Sequence, residues 1–319
     1  MTQHFLLSAA ARTLSLKAVF TMGEDKAYQA FCAMRWSETD GEAVCPRCGC
    51  VESYKITTRR KFKCVGCYHQ YSVTSGTIFA GRKMSFTDLL AAIVIFGNGA
   101  KGVAALHLSR DLNCQYKTAF ILSHKLREAM AIEQQGRQLD GIVEIDGGYF
   151  GGYVKPENRK EDRKDRRLKI NSSGKRQCVV IMRERNGRSL PFVVRNEGDA
   201  VPIVRDHVTT LATIYADEGT GWDALHAGWD THRVNHSVAY MDDGVCTNQA
   251  ESYFSRLRRM EVGTHHHIAG RHLGQYAGEA AWREDHRRVD NGRQAATIFG
   301  AALGSGVSRN WKGYWQRAA

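Results

Sequence analysis

The chain of 319 residues has no apolar run close to the ~18 residues that a membrane-spanning helix requires, so a helical membrane protein is not expected. The apolar stretch at residues 5–11 ends at Arg12 and is too short for the hydrophobic region of a secretory signal. Internal repeats are also absent, and the single biased segment is a charge-rich stretch in the middle of the chain. Hydrophobic residues at 43% and charged residues at 24% indicate a globular protein rather than a disordered or fibrous one.

Acidic residues are in short supply, with 33 Asp and Glu against 45 Lys and Arg, which gives a net charge of +12. Polyanions such as nucleic acids are therefore the first partners to expect. The nine cysteines are an odd number, and four of them form two tight pairs. That usage favours metal ligation in a reducing compartment over a disulfide framework, so we expect a cytoplasmic protein.

Local patterns divide the chain into segments of different character. Apolar spacings of three and four predict a helical cap within residues 1–44, and short alternating runs between turns predict a small separate domain at 45–72. Helical periodicity returns over 73–138. Residues 139–295 mix strands with helices, which predicts an α/β domain, and residues 296–319 are left as a C-terminal tail. Within the α/β domain the predicted strands are 142–146, 178–182, 190–194, 213–217 and 233–236, and the predicted helices are 201–211, 248–260 and 270–290.

Four cysteines form a Cys-x2-Cys…x15…Cys-x2-Cys array, namely Cys45, Cys48, Cys64 and Cys67. Two such knuckles can close a tetrahedral Zn2+ site, the alternative being reduced cysteines in an ordinary loop. Because cysteine fills all four positions, no place is left for a water ligand, and the predicted zinc is structural. Basic residues cluster on the same segment, and we expect phosphate contacts from them rather than a solvated face alone. They are Lys55, Arg59, Arg60, Lys61 and Lys63.

Three short helices are predicted near residues 86–94, 101–108 and 115–130. The second and third, with a small turn between them, have the length of a helix-turn-helix unit, which would place Gln115 and Lys117 at the start of a recognition helix in the major groove. Three packed helices also occur in many proteins that do not bind DNA, so this reading is a hypothesis.

A basic insertion at 153–175 interrupts the α/β domain and is too polar to pack in a core. Counted to Arg176, it holds ten bases and four acids. We interpret it as a loop that grips DNA, the alternative being a solvated loop without contacts. The candidate DNA-binding residues in it are Arg163, Lys164, Arg166 and Arg167.

Two acids, Asp146 and Asp217, each end an apolar strand, where a carboxylate is costly to bury unless a cation pairs with it. Glu251 follows 34 residues after Asp217 on a predicted helix, and Asn248, Glu251 and Arg258 share one face of that helix. A single strand-end aspartate is usually a cap or a turn residue, but the ordered set favours a divalent-metal site. Hard oxygen ligands suit Mg2+ or Mn2+, and two such ions can clamp an in-line phosphoryl displacement.

A series of short motifs runs along nearly the whole chain, and as a set they are specific. In sequence letters they are AFCAMRW, CPRCG, TSGTIF, VEID, VNHS, TNQAES, and HHI followed by HL, Y, E and WR. With these motifs the chain resembles the DDE transposases of bacterial insertion sequences, in the zinc-ribbon group related to the Merlin elements. The resemblance implies an RNase H-like catalytic domain that follows an N-terminal zinc ribbon and a small helical, helix-turn-helix-like domain.

The same resemblance implies roles for individual residues. Asp146, Asp217 and Glu251 would bind the catalytic Mg2+ or Mn2+, and Arg258 would contact a phosphate. We expect Glu251 rather than Asn248 as the third ligand because a third negative charge better offsets two divalent cations. Asn248 would then orient Glu251 or a bound water.

The implied function is a transposase that cleaves the ends of its insertion sequence and joins them to target DNA. Its partners would be the terminal inverted repeats and the target duplex, held by a homodimer or a larger assembly. The sequence departs from the family pattern at Gly147, where an acid usually follows the first aspartate, and at Cys246, where a histidine is usual. Two alternatives stay open, a non-catalytic zinc-ribbon DNA-binding regulator and an RNase H-like nuclease or resolvase without strand transfer.

Overall fold

The computed structural model describes residues 4–134, 136, 138–152, 157–165, 169–171, 174–234 and 246–317. Its helices are α1 Leu16–Arg35, α2 Phe86–Asn98, α3 Ala105–Asp111, α4 Tyr116–Glu133, α5 Val201–His207, α6 Asn248–Arg259, α7 Leu273–Asp285, α8 Asn291–Gly304 and α9 Tyr314–Arg317. Its strands are β1 Ser53–Ile56, β2 Lys61–Cys64, β3 Gln70–Tyr71, β4 Ile142–Gly151, β5 Arg176–Glu184, β6 Ser189–Val194, β7 Thr213–Asp217 and β8 Asp230–Val234. Within these ranges no helix has the length and apolar character to cross a membrane.

Two units make up the chain, one of Met1–Glu133 with Arg288–Ala319 and the other of Gln134–Arg287. The first unit contains α1–α4, α8, α9 and the antiparallel sheet β1-β2-β3. Phe31 of α1 is fully buried at its centre, with its ring 4.8 Å from that of Phe86 and 4.6 Å from that of Phe299 on α8. Packing of α1, α2 and α8 around this ring forms the core of the unit.

The segment 296–319, expected to form a tail, contains most of α8 and all of α9. The buried residues of α8 recur at spacings of three and four, which is the apolar stripe of a packed helix. They are Ala295, Ile298, Phe299, Ala302 and Leu303. Farther along, the ring of Trp311 stacks 4.0 Å from that of His124 on α4. The end of the chain is therefore packed against the N-terminal helices.

The second unit is built on a five-stranded sheet in the order β6-β5-β4-β7-β8. β6, β5 and β4 pair antiparallel, and β4, β7 and β8 pair parallel. Side chains of a strand point alternately to the two faces of the sheet. On β5, Cys178, Val180 and Met182 therefore enter a core with α5, while Val179 and Ile181 enter a second core with α6 and α7. This mixed sheet between helical layers is consistent with the RNase H-like domain that the resemblance implies.

Several boundaries differ from those expected. α3 begins at Ala105 rather than near 101 because Gly102 has φ +78° and Ala104 is extended. α5 ends at His207 rather than near 211 because Val208 turns extended and bridges to Leu139. The last predicted strand, 233–236, is found as β8 Asp230–Val234, and residues 235 and 236 lie outside the described ranges. The helix expected over 270–290 is α7, which ends at Asp285.

Candidate active site and zinc site

Asp146 and Asp217 lie side by side on the two central parallel strands. The register of β4 against β7 pairs Ile145 with Ala216, so the next residues along, the two aspartates, are neighbours. Ile145 and Ala216 are buried in the core on the α5 side. By alternation, the aspartate side chains lie on the other face, where α6 packs.

A buried carboxylate fixes the start of α6 against this sheet. Glu144 is fully buried and accepts hydrogen bonds from the backbone N–H of Gln249 at 2.8 Å and of Ala250 at 3.1 Å. These N–H groups belong to the first turn of the helix, which has no intrahelical acceptor for them. Arg185 balances the charge with its Nη2 3.2 Å from a Glu144 oxygen. Glu144 thereby places the first turn of α6, which carries Glu251, beside β4.

A glycine allows α6 to approach the sheet closely. A Cβ atom on Gly148 would lie 2.8 Å from a ring carbon of Phe254, which is far below a normal contact. On α6, the buried side chains are Ala250, Tyr253, Phe254 and Leu257. Asn248, Glu251 and Arg258 are exposed on the remaining face of the helix, as their spacing predicts. The guanidinium of Arg258 lies 5.7 Å from the centre of the Phe254 ring.

Other carboxylates near Asp146 affect its pKa. Burial is the largest cause that raises the pKa of Asp146 to about 7, and the charges of Asp217, Glu197 and Glu251 raise it further. The N–H of Gly147, which donates to Asp146 Oδ1 at 2.7 Å, acts in the opposite direction. Mutual repulsion of this kind is relieved when a cation binds.

The acid group and the cysteine group differ in how closely their ligand atoms converge. Among the described residues, one group of three or more potential metal ligands has all its ligand atoms within 4.8 Å of one another, and it consists of the four cysteines. The carboxylates are more widely spaced. Mg2+ usually takes one or two carboxylates and keeps several waters, so an open set of hard oxygen donors fits that cation.

Glu197 was not predicted from the sequence. It opens a short 3-10 helix, Glu197–Ala200, that follows β6. Its segment, Asn196-Glu197-Gly198-Asp199, reads as an ordinary capped turn, and the side chains of Asn196 and Asp199 do form a capping box. No local signal points to a site, because the turn reaches Asp146 only through the order of strands in the sheet.

The four ribbon cysteines come together as their spacing predicts. The sulfur atoms of Cys45 and Cys67 are 3.7 Å apart, and those of Cys48 and Cys64 are 3.5 Å apart. Ligand sulfurs around a tetrahedral Zn2+ with bonds of ~2.3 Å are separated by about 3.8 Å. These two distances are close to that value, and the four-cysteine cluster is consistent with a structural zinc ion.

Two family models match the chain. The model of the ISXO2-like transposase domain matches residues 138–285, which include Asp146, Asp217 and Glu251. The model of the transposase zinc-ribbon domain matches residues 22–70, which include the four cysteines. The chain belongs to the insertion-sequence transposases that join a zinc ribbon to a DDE domain. No curated protein gives a match to it.

Membership in this family supports a transposase. The chain is a DDE-domain transposase, and its zinc-ribbon and transposase domains imply that it binds DNA. The ribbon match and the four-cysteine cluster support the structural zinc that the sequence predicts.

The basic residues of the zinc ribbon differ in the contacts that they make with other side chains of the protein. Arg60 lies 2.6 Å from Asp25 and 3.4 Å from Glu24, both on α1. Arg60 therefore forms ion pairs within the first unit, and the sequence did not predict them. Lys55 lies 3.3 Å from Glu42, with both side chains mostly exposed, and Lys63 lies 5.4 Å from the centre of the Tyr68 ring. Arg59 and Lys61 are exposed.

The predicted recognition helix corresponds to α4, which starts at Tyr116 after a turn in which Asn113 has φ +45°. Gln115 and Lys117 are exposed there, and Lys117 Nζ lies 5.3 Å from the centre of the Trp315 ring. In the basic insertion, Arg163 and Lys164 are exposed. The other two candidates of that insertion, Arg166 and Arg167, lie outside the described residues.

Proposed function

We propose that this transposase cleaves the ends of its own insertion sequence and joins them to target DNA, using two Mg2+ or Mn2+ ions held by Asp146, Asp217 and Glu251. The single observation that carries the proposal is the position of Asp146, a partly buried carboxylate next to Asp217 that three other carboxylates disfavour in its charged form. A protein gains nothing in stability from such a group, so a cation-binding role explains it better than a structural one.

The chemistry of the site follows from its donors. Bound cations would activate the attacking water or 3′-hydroxyl and stabilise the leaving oxygen of a phosphodiester. Asp146 and Asp217 come from rigid central strands, and Glu251 comes from a helix whose first turn Glu144 holds in place. Rigid placement of ligands is what in-line phosphoryl transfer requires.

Two residues on the exposed face of α6 receive supporting roles. Arg258, with its guanidinium over the Phe254 ring, would contact a phosphate of the bound strand. Asn248 opens the helix three residues before Glu251, and its neutral amide suits it to orient Glu251 or a metal-bound water.

The joining of two element ends determines the oligomeric state that we expect. Two ends of an element must be held together for coupled joining, so we propose a homodimer or a larger assembly on DNA. The ribbon, the start of α4 and the basic insertion supply the exposed cationic residues that would neutralise phosphates, among them Arg59, Lys61, Lys117, Arg163 and Lys164.

The test uses duplex DNA that carries the sequences flanking the coding region, together with a second target duplex. The wild-type chain with Mg2+ or Mn2+ should nick the terminal DNA and join the freed 3′ end to the target. Asp146→Asn should bind the same DNA without nicking it, and Asp206→Asn, an exposed carboxylate on α5, should behave as wild type.

Three other results would contradict the proposal in different ways. Cleavage without joining would indicate a nuclease or resolvase. Specific binding with neither reaction would indicate a regulator. Cleavage by Asp146→Asn at the wild-type rate would mean that these carboxylates are not the catalytic set.

A further inference from the structure

Glu197 occupies the space that a side chain at position 147 would fill. An ideal Cβ on Gly147 would lie 2.6 Å from Glu197 Oε1 and 2.8 Å from its Cδ. Any residue other than glycine would therefore collide with this carboxylate. Since Gly147 directly follows Asp146 on β4, the Glu197 side chain lies beside this strand next to the first aspartate.

The same carboxylate also lies beside Asp217. An ideal Cβ on Gly219 would lie 3.0 Å from Asp217 Oδ1 and 3.5 Å from Glu197 Oε2. Both acids therefore face one small region next to Gly219. This region lies at the C-terminal end of β7, where the N–H of Gly219 donates to Asp217 Oδ1 at 3.1 Å.

A third glycine completes the space around Glu197. A Cβ on Gly221 would lie 3.0 Å from the Cβ of Glu197 and 3.1 Å from the backbone nitrogen of Gly198. Gly147 on β4, together with Gly219 and Gly221 in the segment after β7, thus leaves room for the half-buried side chain of Glu197. A residue that only starts a 3-10 helix needs no such space, and the capping of that helix is supplied by Asn196 and Asp199.

Among the residues that the structure describes, no ion pair balances the charge of Glu197. Within the described part of the chain, no hydrogen bond or ion pair joins a donor to its carboxylate. It faces Asp146 and Asp217 instead. A carboxylate held beside two others, with no cationic side chain, has the surroundings of a cation ligand.

We propose that Glu197 is a fourth carboxylate of the cation site, on the Asp217 side, and that glycine at position 147 is what admits it. This inference rests on the proposed function, since it adds a ligand to the same site. The side chain of Asp146 lies on the face of the sheet that α6 covers, whereas side-chain alternation places the Cβ direction of Gly147 on the opposite face. Glu197 therefore closes the site from the side that α6 does not cover.

The experiment measures Mn2+ binding to the full, zinc-loaded chain by isothermal titration calorimetry, with no DNA present. Glu197→Gln keeps the shape of the side chain and removes its charge. We expect its dissociation constant for Mn2+ to rise by about 10-fold or more, the size typical for loss of a group that supports a metal site. Asp206→Asn, which removes an exposed charge on α5, should bind as wild type does.

Position 147 supplies the complementary variant. Gly147→Asp alone should lower the melting temperature, because its Cβ meets Glu197. In the Glu197→Ala background the space is free, so Gly147→Asp should fold as stably as its parent and restore part of the Mn2+ affinity that Glu197→Ala removes. Equal destabilisation by Gly147→Asp in both backgrounds would overturn the proposed geometry.

Failure of this inference can be told apart from failure of the proposed function. If Asp146→Asn loses Mn2+ binding and Glu197→Gln keeps it unchanged, only the fourth carboxylate is wrong. If wild type and Asp146→Asn bind Mn2+ equally well, the cation site itself is misplaced. Weaker binding in both variants supports both proposals.

Discussion

The carboxylate of Glu144 accepts a hydrogen bond from the backbone N–H of Gln249 at 2.8 Å, and this contact joins the first central strand to α6. Glu144 precedes Asp146 by two residues on one strand face, and Gln249 precedes Glu251 by two residues on α6. One buried carboxylate therefore relates the positions of two proposed cation ligands. Arg185, at 3.2 Å, is the cationic partner of that buried carboxylate.

Removal of Glu144 should be strongly destabilising. Glu144→Ala leaves Arg185 without its buried partner and the first N–H groups of α6 without an acceptor, which we expect to cost about 3–5 kcal/mol. Urea unfolding measures this destabilisation. Asp223 forms an ion pair with Arg233, and the Asp223 side chain is 70% exposed. Asp223→Asn should therefore lower the free energy of unfolding by about 1 kcal/mol or less. Equal effects of the two substitutions would show that the burial of Glu144 is not what matters.

The ribbon should bind one zinc ion per chain, and Cys64→Ser should lower the zinc content and unfold the ribbon. Cys64 is fully buried, and zinc binding forms part of the folding free energy of so small a unit. Cys50→Ser is the matched control, because Cys50 lies outside the four-cysteine group and should leave the zinc content unchanged. Elemental analysis of purified protein gives the result, and a folded wild-type chain without zinc would refute the site.

DNA binding should weaken steeply with salt, and the basic insertion should contribute to that dependence. Replacing Arg163 and Lys164 by alanine should reduce the slope of log K against log salt by about 1.8, or ~0.9 for each phosphate that the variant no longer neutralises. The exchange Arg163→Lys with Lys164→Arg keeps both charges and should keep the slope. Fluorescence anisotropy at several salt concentrations measures it, and an unchanged slope in the alanine variant would mean that these residues do not bind DNA.

The stability of the chain should depend on pH through Asp285. Burial raises the pKa of Asp285 to about 6, although Ser189 donates to it from its N–H at 3.0 Å and from its hydroxyl at 2.7 Å. The native state therefore holds a proton that the unfolded state releases near pH ~4. Stability from this group falls as pH rises from about 4 to about 6, and it does not recover above that range.

Asp285→Asn removes this ionisation. The melting temperature of the variant relative to wild type should become more favourable between pH 4 and pH 6, and a constant difference would contradict the raised pKa. Asp290→Asn provides a comparison, because the hydroxyl of Thr13 and the N–H of Arg293 hold the pKa of that carboxyl below its usual range. Its relative melting temperature should change in the opposite direction or not at all over the same interval.

Elements with a strong local pattern could be predicted from the sequence. The apolar run of β5 and the turn before β6 indicated both strands, because helical layers cover both faces of this sheet and a strand buried on both faces is apolar along its whole length. The cysteine spacing indicated the zinc site, since ligand geometry is set within each knuckle. The sequence indicated that Asp146 and Asp217 lie together, because each follows an apolar run. The prediction that Asp146 ends its strand was wrong, because β4 continues to Gly151.

Other features depend on contacts between distant parts of the chain. The packing of α8 with α1 follows from tertiary structure, although the apolar spacing from Ala295 to Leu303 is typical of a helix. Glu197 reaches Gly147 only because β6 and β4 flank β5 in one sheet. The role of Glu144 also escaped prediction, because a glutamate within an apolar strand has no local partner to reveal it.

The most direct test of the account is strand transfer by Glu251→Gln and Asn248→Ala, measured with terminal DNA and a target duplex in Mn2+. Both residues lie exposed on the first turn of α6, so neither substitution disturbs the buried side of the helix. We expect Glu251→Gln to bind DNA normally but neither to cleave nor to join it, and Asn248→Ala to be slower and still complete both steps. Near-normal strand transfer by Glu251→Gln together with an inactive Asn248→Ala would contradict it and assign the third ligand to Asn248.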